Sequence, residues 1–281
     1  MLRLRLLTAA VGIPALLAVA YAGGWYLAGL VSLTSLLAVR ELLRLASGAD
    51  RPTPHPALAA LGHLLAAGLP LAQSAVGDPR LAEAGAAAGT GLAVALAAGL
   101  RAARRQHVGA GVAGAGALLV PSLLSYLVLL RGLGGPEAVL RIGGAVLPAG
   151  ACWLFLSLAT CWAADTGAYG VGHAWGRRRL WPAVSPGKTI EGVVGGLVAA
   201  VVVGLAVGRL LGLRLWVGAL LGGAVAVAGL AGDLSESKLK RWAGAKDSGR
   251  LLPGHGGVLD RFDSLLLGGP VAYYLLRALG P

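Results

Sequence analysis

Nine apolar runs of roughly 17–25 residues divide this 281-residue chain, and they restrict its fold more than any other feature. They cover about residues 5–21, 25–43, 57–75, 82–100, 108–130, 145–163, 190–212, 214–231 and 264–280. A run of this length crosses the hydrocarbon core of a bilayer as one helix, because its backbone polar groups must be satisfied within the segment. The runs are continuous and do not alternate with period two, which argues against a β-barrel. Charged residues make up 13% of the chain, against about 25% in a soluble domain, and the mean hydropathy is +0.76. The expected fold class is an all-α polytopic integral membrane protein of about nine transmembrane helices. Its abundant Ala and Gly suit close helix packing.

The formal charge of +12 would fit a nucleic-acid binder, but the basic residues sit in short links between apolar runs, as membrane topology requires. No nucleic-acid partner is expected. Two connections, 164–189 and 232–263, are long, charged and glycine-bearing. If both lie on one side, that side collects sixteen of the 24 Lys and Arg residues, which places it in the cytoplasm. Arg3 and Arg5 oppose this assignment, since they precede the first run and favour the inside. The run's end, Ala18–Ala22, also resembles a signal-peptide cleavage site, although the run is read here as a retained span. Cys152 and Cys161 stand about 13 Å apart along one helix, too far to bridge. They read as buried thiols.

Seven of the twelve acidic residues lie at or after Asp165, in and around the two long connections. Ionisable groups beside membrane spans are costly to keep and are functional candidates by default. Asp233, Glu236, Ser237 and Lys240 follow i, i+3, i+4, i+7 spacing and share a helix face. A solvated helix end with an ordinary Glu236–Lys240 ion pair would look the same. The loop that follows weakens that reading. It carries Lys246-Asp247, then His255-Gly256-Gly257, and consecutive glycines can free backbone N–H groups for a phosphate. Asp260 and Asp263 share one face of the helix opening the last span, and with Asp233 they supply hard oxygen ligands suited to Mg²⁺. In the first connection, Asp165 begins Asp-Thr-Gly-Ala-Tyr, and Ser185, Lys188, Thr189 and Glu191 sit in Ser-Pro-Gly-Lys-Thr-Ile-Glu-Gly. Ser185 and Thr189 can bond phosphate oxygens or simply cap a helix. Lys188 can neutralise phosphate charge. Glu191 lies near a positive helix end. No P-loop is present.

These residues resemble the phosphatidate cytidylyltransferases, also called CDP-diacylglycerol synthases. The family signature is filled without a gap by Ser237, Lys240-Arg241, Lys246-Asp247, His255-Gly256-Gly257, Asp260-Arg261 and Asp263. The segments around Asp165 and Ser185–Gly192 look like the family's upstream motifs, with Gly187 and Ile190 as small departures. The resemblance covers about residues 160–265. The first 150 residues match in hydrophobicity alone, with Glu41 a weak further match.

The resemblance implies transfer of the cytidylyl group of CTP to phosphatidic acid, giving CDP-diacylglycerol and pyrophosphate in phospholipid biosynthesis. It also implies Mg²⁺, a multi-pass protein of the cell membrane with a cytoplasmic-facing site among membrane lipids, and a homodimer. On this reading residues 1–144 serve lipid access, packing and dimer contacts, and 145–281 form the catalytic region. Asp233, Asp260 and Asp263 would hold the metal, with Glu236 and Asp247 supporting its shell and room for a second, monovalent or divalent, cation. Lys188, Lys240, Lys246 and Arg241 would contact phosphates. His255 would orient the Gly256-Gly257 turn or a phosphate, acting as a base being its second reading. Asp165 is a further nucleotide-binding or supporting candidate. The competing readings are a cytidylyltransferase for another lipid phosphate, a CTP-using lipid kinase, a transporter and an inactive scaffold. A transporter's charges would lie at midspan, and here they cluster at span ends.

Overall fold

The computed structural model describes residues 2–47, 56–76, 78–102, 108–135, 137–249, 251 and 256–280. Its helices follow the apolar runs. They are α1 (Leu2–Ala22), α2 (Gly24–Ala46), α3 (Pro56–Ala75), α4 (Pro79–Ala102), α5 (Val108–Leu124), α6 (Tyr126–Gly132), α7 (Ala149–Trp175), α8 (Ile190–Leu210), α9 (Leu215–Trp242) and α10 (Leu259–Leu279). Two small antiparallel hairpins interrupt them. Strands β1 (Val139–Ile142) and β2 (Ala145–Pro148) precede α7, and β3 (Arg179–Trp181) and β4 (Ser185–Thr189) precede α8. Among the described residues, five helical stretches are long and apolar enough to cross a membrane: 24–46, 56–75, 113–132, 190–210 and 215–242. Val194, Val198 and Val202 of α8 are each more than half exposed, a surface that suits lipid and not water. The protein is an all-α, multi-pass membrane protein.

Three boundaries differ from the sequence reading. The run 108–130 is interrupted at a single residue, Ser125, between α5 and α6, while backbone hydrogen bonds continue through it: the Ser125 N–H donates to the Pro121 carbonyl (3.0 Å) and the Val128 N–H to the Ser125 carbonyl (3.0 Å). The Ser125 hydroxyl donates to the Ser122 carbonyl at this point (2.8 Å). The expected span 145–163 starts late, because Gly143 and Gly144, both at positive φ (54° and 85°), form the two-residue turn of the β1–β2 hairpin. Helix α7 then runs on to Trp175, twelve residues into the expected connection 164–189. Its Ala164, Gly167, Ala168, Val171 and Gly172 recur at helical spacing and pack against α8.

The chain divides into two compact units, Met1–Leu129 with Trp242–Phe262, and Leu130–Arg241 with Asp263–Pro281. In the first, α2, α3 and α5 pack on one another and α4 packs on α5. Their internal polar groups are paired across helices, as a bilayer demands. Ser32 donates to the Ala67 carbonyl (2.9 Å), and the Gln73 amide donates to Ser125 Oγ (3.1 Å) and the Ala82 carbonyl (3.2 Å). In the second unit, α7 packs along α8, and α8 meets α9 through glycine. A Cβ added at Gly222 of α9 would lie 2.8 Å from the carbonyl carbon of Ala200, so only glycine permits this backbone approach. Cys152 and Cys161 are both buried and unbridged, as expected.

Candidate active site

In the second unit the site is built by three helices and one hairpin. Helix α9 outlasts its apolar part and continues to Trp242, so Asp233, Glu236, Ser237 and Lys240 do share a helical face. Asp233 accepts from Ser237 Oγ (3.2 Å) and is ion-paired with Lys188, which β4 supplies. Glu236 is buried and ion-paired with Lys240 (3.2 Å). At Gly232 the backbone of α10 comes so close that an added Cβ would stand 3.3 Å from the Asp263 carbonyl carbon. That glycine lets Asp263 approach beside Asp233. Asp263 Oδ1 accepts from the Ser264 N–H (2.6 Å). Asp165, from α7, completes the group and lies within electrostatic reach of Asp233, Asp263 and Lys188. Glu236 and Lys240 likewise act on Asp263.

Four carboxylates therefore face two ammonium groups. Repulsion among close carboxylates in a poorly solvated site is strong, and counted with every group ionised the cluster has a formal excess of two negative charges. Lys188 shows that Asp233 accepts a cation. The donor set is all oxygen, the ligand chemistry that hard divalent ions take. Among the described residues no group of three or more His, Cys, Asp or Glu side chains is arranged to hold a metal ion.

The β3–β4 hairpin is fastened to α9 at further points. Lys238 Nζ lies 5.8 Å from the centre of the Trp181 ring, and Arg241 Nε donates to the Val184 carbonyl (3.2 Å). Arg241, expected on phosphate, thus holds the hairpin that carries Lys188. Ser185 opposes Trp181 in the hairpin register. Thr189 takes the alternative named for it from sequence: it is the N-cap of α8, its Oγ1 accepting from the Gly192 N–H (3.1 Å). Glu191 accepts from the backbone N–H groups of Arg177 and Arg178 (3.1 Å each) and from Arg178 Nε (3.4 Å), which pins the link between α7 and β3.

The first unit holds the rest of the signature. Lys246 and Asp247 are exposed. His255 lies outside the described residues. Asp260, in the first turn of α10, accepts from the Ser248 N–H (3.0 and 3.2 Å to its two oxygens) and from the Gly257 N–H (2.9 Å). The Gly257 amide, expected to face phosphate, is therefore directed at Asp260. Gly256, at φ 83°, makes the turn that allows it.

The residue most nearly missed from sequence is Glu41. It is buried on α2 and accepts from Ser248 Oγ (2.9 Å) and from the N–H groups of Val258 (3.0 Å) and Leu259 (2.9 Å). Its signal was present, as the one acidic residue in the second apolar run.

The cytidylyltransferase family model matches residues 3–279, nearly the whole chain. The chain is 46% identical over 129 residues to the phosphatidate cytidylyltransferase of Bacillus subtilis (strain 168), which covers 45% of this chain and 48% of the relative. It is 43% identical over 126 residues to the phosphatidate cytidylyltransferase of Staphylococcus haemolyticus (strain JCSC1435), covering 44% and 48%. To that of Staphylococcus aureus (strain COL) it is 47% identical over 117 residues, covering 41% and 45%. The chain thus spans about half the length of the curated relatives it matches.

Proposed function

We propose that this chain, which belongs to the cytidylyltransferase family, transfers the cytidylyl group of CTP to phosphatidic acid, releasing pyrophosphate and forming CDP-diacylglycerol. The observation that carries the reading is the convergence of Asp165, Asp233 and Asp263 from three helices beside Lys188 and Lys240. A phosphatidate oxygen attacks the α-phosphorus of CTP, and the bond from that phosphorus to the oxygen bridging the β-phosphate breaks. The nucleophile is already anionic, so the barrier lies in anion–anion repulsion and in charge on the departing pyrophosphate. Lys188 and Lys240 supply positive charge for these phosphates. Asp233, Asp263 and Asp165 would hold Mg²⁺, which when bound neutralises and aligns the triphosphate. Glu236 fixes Lys240, and Arg241 and Trp181 fix the hairpin that presents Lys188. The metal-binding role expected for Asp260 and the roles expected for His255, Lys246 and Asp247 belong to the same proposal.

The count of basic residues supports a site at the cytoplasmic face of the cell membrane, where lipid substrate reaches it laterally. The homodimer and the division of labour between residues 1–144 and 145–281 belong to the same proposal. The deciding experiment gives detergent-purified protein CTP, Mg²⁺ and a panel of lipid phosphates. Pyrophosphate release with formation of a CDP-lipid is expected, with phosphatidic acid the preferred acceptor. Release of CDP with phosphorylated lipid would instead identify a kinase. A strong preference for another lipid phosphate would reassign the acceptor.

A further inference from the structure

We infer that Glu41 is a positioning residue for the reaction, acting on Asp260 through Ser248 and the first turn of α10. The inference rests on the function proposed above only for its catalytic consequence. The hydrogen-bond arrangement itself lies within one compact unit.

One carboxylate from α2 collects three donors that are more than 200 residues away in sequence. Ser248 Oγ and the Leu259 N–H converge on Oε2, and the Val258 N–H meets Oε1, all at 2.9–3.0 Å. Val258 and Leu259 contribute two of the N–H groups that a helix start leaves without an intrahelical partner. The negative charge also complements the positive end of α10. Glu41 therefore fixes where and in what direction α10 begins. Asp260 is the next residue.

Ser248 links the two carboxylates. Its hydroxyl donates to Glu41 while its backbone N–H donates to Asp260. Gly257, directly before Val258, supplies the other amide on Asp260. Both ends of the Asp260 grip thus depend on groups that Glu41 holds. The fit is tight: a Cβ on Gly257 would lie 2.5 Å from Glu41 Oε2, and one on Gly249 would lie 2.8 Å from Glu41 Cδ. Glycine at both positions makes room for this side chain.

A buried carboxylate stripped of its partners is costly, so a purely structural role would show in stability alone. Positioning predicts more. In Glu41→Gln, one oxygen becomes a donor facing N–H or O–H groups, and the hold on the first turn of α10 is broken on one side. Amide exchange in peptides covering Val258 and Leu259 should accelerate at least about tenfold. Turnover per folded molecule should fall about 10–100-fold, with the KM for CTP and for phosphatidic acid changed less than about threefold. Glu41→Asp, which keeps the charge, should recover part of the loss. Ser248→Ala removes one donor and should show both effects more weakly. The two substitutions combined should lose less than the product of their single effects, because they break one shared arrangement.

Wild-type exchange rates in Glu41→Gln, or turnover within twofold of wild type, would overturn the inference. If Glu41→Gln does not fold, Ser248→Ala decides alone, and no change in either readout would overturn it. The exchange measurement needs no substrate. It reports on Glu41 even if the protein makes no CDP-diacylglycerol, so failure of the functional reading and failure of this inference remain distinct.

Discussion

The ammonium of Lys188, on strand β4, is ion-paired with the carboxylate of Asp233, on helix α9. Two motifs 45 positions apart thereby share one charge at the centre of the candidate site. The pair also explains why the hairpin is secured to α9 through Lys238 and Arg241. On the proposed function, this fastening would hold the lysine in place before substrate arrives.

Lys188→Ala removes that charge and should lower kcat/KM for CTP by about 100–1,000-fold, the usual cost of losing one preorganised electrostatic contact. Lys188→Arg should recover only part of the loss, because it keeps the positive charge but presents a larger, planar fork in place of a compact ammonium. Steady-state pyrophosphate release measures both. A change below threefold for Lys188→Ala would remove it from the site.

Asp263→Asn should abolish turnover while leaving the protein folded. Asparagine keeps an oxygen for the Ser264 N–H and removes one charge from a group of four carboxylates facing two ammonium ions. Melting in the presence of EDTA should therefore show a Tm equal to or above that of wild type, since like-charge repulsion is relieved. A large drop in Tm would mean that the carboxylate supports the fold and not the chemistry.

Stripping divalent ions with EDTA should halt pyrophosphate release, and Mg²⁺ should restore it. In Asp233→Asn the Mg²⁺ concentration for half-maximal rate should rise at least tenfold, because a hard cation loses a charged ligand. An unchanged Mg²⁺ dependence would place the metal elsewhere.

Much of this arrangement was legible beforehand because its causes are local. Helical spacing put Asp233, Glu236, Ser237 and Lys240 on one face, and α9 does carry them there. Hydropathy located most helix boundaries to within a few residues, apart from the interruption at Ser125, the hairpin around Gly143-Gly144, and the polar C-terminal extensions of α7 to Trp175 and of α9 to Trp242. What spacing could not give was partnership over long range. Nothing local pairs Glu41 with Ser248, or brings Asp165 of α7 beside Asp263 of α10. Those contacts depend on which helices pack, and so on glycines such as Gly232 whose only signal is the absence of a side chain. Arg241 is a related case: its charge suggested phosphate, and its position in the fold directs Nε to a backbone carbonyl.

Gly222→Val should push α8 and α9 apart, since even one added carbon would meet Ala200 and Val201 at 2.8–2.9 Å. Overpacking of this kind costs about 1–3 kcal/mol. The variant should melt earlier in detergent, with turnover per folded molecule close to wild type. An unaltered Tm would show that the two helices can separate at no cost.

Thr189 separates a structural from a substrate role with one pair of variants. Its Oγ1 accepts from the Gly192 N–H and caps α8, directly after the lysine that meets Asp233. Thr189→Ala should cost about 1 kcal/mol of stability, the ordinary value of an N-cap. It should shift the KM for CTP less than threefold, since the hydroxyl is already engaged with the backbone. Thr189→Ser keeps the capping oxygen and should restore stability. A tenfold rise in KM for CTP in Thr189→Ala, with an unchanged Tm, would reverse the assignment and make the hydroxyl a phosphate ligand.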